Sequence, residues 1–166
     1  MRKTLPALAT VIAAGSVVGG LTLTSASASP AAAPAEHFRV ISAAATSRRL
    51  SVIATGHFTA GGYEVPGKLI RGHATDKAVF PSGRFLVHRH VTHQAVSLPR
   101  NCLFTEVQRG TYTLGQGTGQ FRKISGSGTF SLRITGVIRR ARGVCSRSGK
   151  LSAFQQISYE SGRVRG

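Results

Sequence analysis

The chain has 166 residues, and its 22 lysines and arginines outnumber its five acids to give a formal net charge of +17. That length is enough for one ordinary domain after a leader is removed, and too short for two. So positive a balance favours polyanionic partners, namely nucleic acid, anionic lipid or wall polymers. The two cysteines have no CxxC spacing, which argues against a zinc site built on thiolates.

The N-terminal segment has the features of an export signal. A positively charged start is followed by an apolar run to about Leu23, and small residues end the segment at Ala28. This pattern predicts a signal peptide over residues 1–28 that is cleaved before Ser29, so that the mature protein is secreted and extracellular. An uncleaved anchor helix is the alternative, but glycines dilute the apolar run. No later segment is apolar for long enough to insert stably in a membrane.

The mature chain has a short lead-in and one predicted domain. Residues 29–36 are rich in alanine and proline and predict a flexible segment, which leaves residues 37–166 for the domain. Cleavage removes two of the 22 bases and none of the five acids, so the mature chain has a formal charge of +15. Compositional bias toward arginine, which favours solubility without a specific partner, is the alternative explanation of this charge.

Apolar residues alternate with polar ones in several short runs beyond the leader. Such alternation occurs at Val52–Phe58 and Phe85–Val91, and it predicts half-buried strands. Glycine and proline turn signals separate the runs. The pattern predicts an all-β fold, specifically a small single-domain antiparallel β-barrel of about eight strands, with a sandwich as the alternative. On the last two strands the residues expected on one face are Phe130, Leu132, Ile134 and Ile138, and then Leu151, Ala153, Ile157 and Tyr159.

A histidine pair is the strongest chemical candidate. His88 and His90 point the same way if they lie on a strand, and two imidazoles at this spacing can share a metal. The motif lacks a third ligand, so the sequence predicts no metal and no cofactor. Histidines on a solvated or a lumenal face are the alternative. On a lumenal face they would join Glu106 and Tyr112 as residues that bind a small ligand.

Cys102 and Cys145, the only two cysteines, are predicted to form a disulfide in an exported protein, with a reactive thiol or a metal ligand as the alternative. The enclosed segment is predicted to contain at least two strands. Closing a loop of this size stabilises the folded chain by about 4 kcal/mol in the chain-entropy model.

A glycine-rich segment from Gly115 to Phe130 lies inside that loop. Its pattern, Gly-Thr-Gly-x-Phe, four residues, then Gly-Ser-Gly-Thr-Phe, resembles the hairpin of allene oxide cyclase-like and dirigent-like β-barrels. Over residues 83–160 the frame is similar to uncharacterised secreted proteins of actinomycetes. The resemblance implies an eight-stranded barrel with a central cavity, and it carries over no active-site residues.

The densest basic run follows the predicted seventh strand. Its arginines, Arg139, Arg140, Arg142 and Arg147, are predicted to contact polyanions, with a solvated loop as the alternative. No aromatic stacking motif accompanies them, so sequence-specific recognition of nucleic acid is not expected.

No catalytic motif accompanies these features. The chain lacks a Gly-x-Ser-x-Gly elbow, and Asp76 is its only aspartate. The sequence therefore favours a non-enzymatic binding protein whose basic surface contacts anionic cell-wall polymers and whose barrel holds a small apolar ligand. The alternatives are a cyclase- or dirigent-like enzyme that uses His88, His90 and Glu106 inside the lumen, and an interaction module of the cell surface.

Overall fold

The structure, a computed structural model, describes residues 35–98, 100–140, 142–145 and 149–166. Eight antiparallel strands form a closed barrel in which each strand pairs with the next and the eighth returns to the first. The predicted all-β barrel is confirmed, and the alternative of a sandwich is wrong. The strands are β1 (Ala35–Ser42), β2 (Leu50–Thr55), β3 (Ala60–Val65), β4 (His73–Phe80), β5 (Gly83–Ser97), β6 (Leu103–Gly115), β7 (Ser125–Ile138) and β8 (Leu151–Arg165).

The first strand begins slightly earlier than the sequence predicts. The lead-in was expected over 29–36, but Ala35 pairs with Arg163 and Glu36 is fully buried. A carboxylate in an Ala/Pro-rich segment gives no apolar signal, so alternation alone places the strand too late. The predicted signal peptide and the start of the lead-in lie outside the described residues. Among the described residues, no helix is long and apolar enough to cross a membrane.

The two halves of the barrel differ in length. Strands β1–β4 have 6 to 8 residues, whereas β5–β8 have 13 to 15 and extend beyond the others. The extension lies at the end of the barrel that carries the disulfide, here called the disulfide end. A 3-10 helix, Gly119–Phe121, joins β6 to β7 at the opposite end, here called the aromatic end.

Aromatic side chains fill the aromatic end of the barrel. Each ring has a neighbour with its centroid 4.9–6.4 Å away, mostly in tilted or edge-to-face geometry. Burying one large apolar side chain stabilises the fold by about 1.5–3 kcal/mol, so this cluster is a major part of the core. This half of the barrel is therefore packed core. The rings belong to Phe38, Phe58, Phe80, Phe85, Phe121 and Tyr112.

Glycines on the inward face of β7 and β8 make room for Tyr112. Tyr112 pairs with Gly128, and Gly128 pairs with Gly162. A Cβ atom on Gly162 would lie 2.7 Å from the Tyr112 hydroxyl oxygen and 2.7 Å from the Gly128 Cα atom. Gly162 therefore provides the space in which the tyrosine side chain lies, and Gly128 of the Gly-Ser-Gly-Thr-Phe motif lets the backbone of β8 approach closely.

The alternation prediction holds on β7 and fails on β8. Phe130, Leu132 and Ile138 are buried and Ile134 is half-buried, as expected. On β8 the inward face combines the buried polar residues Ser158 and Glu160 with the buried Val164. The predicted face of β8 is exposed or half-buried: Ala153, Ile157 and Tyr159 point outward, and Leu151, which pairs with Ile138 beyond a register shift, is also exposed.

The predicted disulfide is confirmed. Cys102 and Cys145 are bonded with their Cα atoms 5.2 Å apart, which ties the start of β6 to the loop after β7. The enclosed segment contains β6 and β7, as predicted. The Ile138 backbone N–H also donates to the Cys102 carbonyl over 3.0 Å.

Candidate functional site

Four of the five acids of the chain are buried inside the barrel. They alternate with apolar residues on the inward face of their strands, as in Glu36-x-Phe38-x-Val40 and Ala74-x-Asp76-x-Ala78. Burying a carboxylate is costly unless it is paired or neutralised, so each of these groups needs a compensating partner or a proton. The exposed fractions are 0% for Glu36, 4% for Glu64, 0% for Asp76 and 3% for Glu160.

Asp76 is compensated by an ion pair. The Arg89 Nε–H donates to Asp76 Oδ2, and the Gly67 backbone N–H donates to Asp76 Oδ1 over 2.7 Å. The Arg89 guanidinium also lies 5.5 Å from the centroid of the Phe130 ring. Burial disfavours the charge on Arg89, but the negative charges around it outweigh that effect and raise the pKa of Arg89.

Glu64 and Glu160 are neutralised differently. Burial is the largest effect on Glu160 and, together with the charge of Asp76, it outweighs the lowering by Arg89 and raises the pKa of Glu160 to about 7. Burial also raises the pKa of Glu64 well above its ordinary value, and the charges of Glu160 and Asp76 act in the same direction. One arginine does not offset three carboxylates, so the interior favours protonated Glu64 and Glu160.

Glu36 and Tyr112 lie on the aromatic side of this cluster. Glu36 Oε2 accepts a hydrogen bond from the Phe58 backbone N–H over 3.1 Å, which connects β1 to the turn after β2. Burial nevertheless raises the pKa of Glu36. Burial likewise raises the pKa of the Tyr112 hydroxyl. Within the described residues, Glu36 Oε1 and the Tyr112 hydroxyl have no hydrogen-bond partner.

The cations have the opposite distribution. Of the 19 lysines and arginines in the described residues, Arg89 lies in the core and the other 18 are exposed or half-buried. The remaining acid, Glu106, is half-buried on the inward face of the β5–β8 extension. Folding thus places most acids inside the barrel and most cations outside it. On the outer surface of the described residues, the charged side chains are almost all positive.

A groove of about 720 Å³ crosses the outer wall of the barrel from β2, over β1, β8, β7 and β6, to β5. Its wall bends where β5 carries a bulge between Val91 and His93, and where Gly110 of β6 lies too close to the His90 carbonyl for any side chain. We call this feature the outer-wall groove. Two rows of paired outward residues form its floor: Thr111, Thr129, Ser161, His37 and Thr55, and beside them Arg109, Ser131, Tyr159, Arg39 and Ile53.

The structure separates the residues predicted to bind a lumenal ligand. Tyr112 is buried inside, and Glu106 lies on the extension, where Oε1 accepts hydrogen bonds from Gln94 and Gln108 over 2.7 and 2.6 Å. His88 and His90 point outward, so the hypothesis that they line the lumen is wrong. The reason is that their β5 neighbours Val87 and Arg89 occupy the inward positions.

The outward histidines pack against β4. The His73 and His90 rings stack with their centroids 4.4 Å apart, and His88 Nδ1 lies 3.1 Å from the Thr75 hydroxyl. In the part of the chain that the structure covers, no three His, Cys, Asp or Glu side chains converge in a way that could hold a metal ion.

The predicted polyanion-binding arginines lie at the disulfide end. Arg139, Arg140 and Arg142 are exposed, and Arg140 Nη2 donates to the Arg100 carbonyl over 3.1 Å. Arg147 lies outside the described residues. Exposed arginines without an acid beside them are available for an anionic partner, but their location does not by itself test that function.

Neither the buried carboxylate cluster nor the outer-wall groove is predicted by the sequence patterns described above. A signal for the cluster exists, since an acid that takes its turn on the apolar face of an alternating strand is expected to point inward. The groove has no such local signal, because its floor comes from five strands. Comparison with protein-family models, with curated proteins and with solved structures found no match for this chain.

Proposed function

We propose that this chain is an exported binding protein whose outer surface holds anionic polymers. The observation that carries the proposal is the separation of charge: four acids are buried and 18 described cations lie outside. A surface with one sign of charge attracts polyanions, releases their counterions and binds them strongly at low salt.

The disulfide supports export, because such bonds persist in oxidising compartments outside the cytosol. Anionic polymers of the cell wall are the partners that an exported, basic protein would meet. N-terminal sequencing of the secreted protein tests this part, with cleavage expected between Ala28 and Ser29.

The packing of the barrel gives less support to the alternative, an enzyme that acts on a small apolar substrate. Phenylalanine rings occupy the aromatic half of the interior, where a lumen would be needed. His88 and His90, which that alternative uses as lumenal groups, point outward.

Binding of polyphosphate over a salt series tests the proposal. We expect the logarithm of the association constant to fall linearly with the logarithm of salt concentration, by about 0.7 for each phosphate contacted on a flexible chain. Neutral dextran is the matched control and is expected not to bind. An affinity for polyphosphate that does not change with salt would contradict the proposal.

A further inference from the structure

From the outer-wall groove we infer a more specific ligand, an anionic glycan whose sugar units carry sulfate or phosphate. This inference rests on the proposed function and deepens it, because it assigns a site and a chemical class to what is otherwise a general attraction for polyanions.

The groove has cations in defined positions. Arg39 and Arg109 are both exposed and lie in one row, with Ser131 and Tyr159 between them in register. Three strand spacings separate the two arginines, which corresponds to roughly 14 Å between their backbones. Their guanidinium groups can therefore contact two anionic groups on one ligand that crosses the strands.

The surface between the arginines suits sugars better than a bare chain of phosphates. Tyr159 is 56% exposed, and the Arg39 guanidinium lies 5.5 Å from the centroid of its ring. Ile53 is 50% exposed beside them. An aromatic ring and an aliphatic side chain offer apolar contact to the C–H faces of a sugar, which polyphosphate does not have.

The neighbouring row supplies hydroxyls. Thr55, Ser161, Thr129 and Thr111 are exposed and consecutive across the pairing of β2, β1, β8, β7 and β6, with His37 between the first two. Hydroxyl groups both donate and accept hydrogen bonds, as sugar hydroxyls do. None of the outward side chains in the groove is acidic, and the side chain of Glu160, which also lines the groove, is buried on the inner side of the wall.

Four probes separate the contributions of charge, apolar contact and hydrogen bonding to the affinity. They are dextran sulfate, polyphosphate, neutral dextran and a single-stranded oligonucleotide. We expect dextran sulfate to bind about tenfold more tightly than polyphosphate at equal salt, because apolar contacts and hydrogen bonds add to the charge. Neutral dextran is expected to bind weakly or not at all.

Variants of the secreted protein test the site itself. R39A/R109A should weaken dextran sulfate binding about tenfold and reduce the salt slope by about one for each arginine. Tyr159→Ala should remove the preference for dextran sulfate over polyphosphate, whereas Tyr159→Phe should keep it. R122A/R165A, which removes two exposed arginines at the aromatic end, is the matched control and should weaken both polymers equally.

Three results would overturn the inference. If both polymers bind equally and Tyr159→Ala changes neither, the glycan assignment fails while polyphosphate binding keeps the proposed function. If the oligonucleotide binds best and R39A/R109A weakens it most, the groove is a nucleic-acid site. Failure of every anionic polymer to bind would instead reject the proposed function as well. Thermal unfolding confirms that each variant is folded, and Tyr159→Leu replaces Tyr159→Ala if the latter is not.

Discussion

Glu160→Gln is expected to make the protein more stable at neutral and alkaline pH. The folded protein raises the pKa of Glu160 from 4.5 to about 7, so the folded state holds a proton that the unfolded chain releases. The contribution of this group to stability is therefore fully present below about pH 4.5 and is lost as the pH rises through 7. The loss is about 3 kcal/mol, since each unit of pKa difference corresponds to ~1.4 kcal/mol.

Glutamine has the shape of a protonated glutamate but cannot ionise, so the variant should avoid this loss. Urea denaturation between about pH 4 and pH 8 should show the free energy of unfolding of Glu160→Gln rising relative to wild type by about 3 kcal/mol. Glu106→Gln makes the same atomic change outside the buried cluster, on the half-buried face of the extension, and is the matched control for the substitution. A difference between Glu160→Gln and wild type that stays constant over the whole range would refute the reasoning.

The remaining predictions concern packing and the crosslink. Gly162→Ala should destabilise the barrel by about 1–3 kcal/mol, because its Cβ would collide with the Tyr112 hydroxyl and with backbone of β7. Gly61→Ala is the control and should have little effect, because the space around its Cβ is open. Equal unfolding midpoints for the two variants would contradict this explanation. C102S/C145S should lower the free energy of unfolding by about 4 kcal/mol, since the disulfide closes a loop of 43 residues. The same urea midpoint with and without the bond would show that the crosslink does not stabilise the fold.

The fold was predictable wherever apolar residues occupy the inward positions. On β7, Phe130, Leu132 and Ile138 alternate with polar residues, and the period of two is enough to assign both strand and face. On β8 the same rule selects the wrong face, because the buried Glu160 takes an inward position and Tyr159 an outward one. Hydrophobic alternation fails there for a physical reason. The barrel tolerates acids inside because Arg89 pairs with Asp76 and because burial favours the protonated forms of Glu64 and Glu160.

The candidate sites were less predictable, because they depend on relations between strands. The spacing of His88 and His90 shows that the two rings share a face, but Val87 and Arg89 decide that this face is the outer one. The outer-wall groove requires the register of five strands, and no single stretch of sequence contains that information.

The arginines and the titratable carboxylates occupy separate parts of the molecule, the outer surface and the core. Fourteen of the 18 outward cations in the described residues are arginines, whose guanidinium groups keep their protons at any physiological acidity. The carboxylates that respond to acidity are enclosed where no polymer can reach them. Acidity therefore acts on how firmly the barrel holds together through groups in the core, which are separate from the arginines that we propose to contact an anionic polymer.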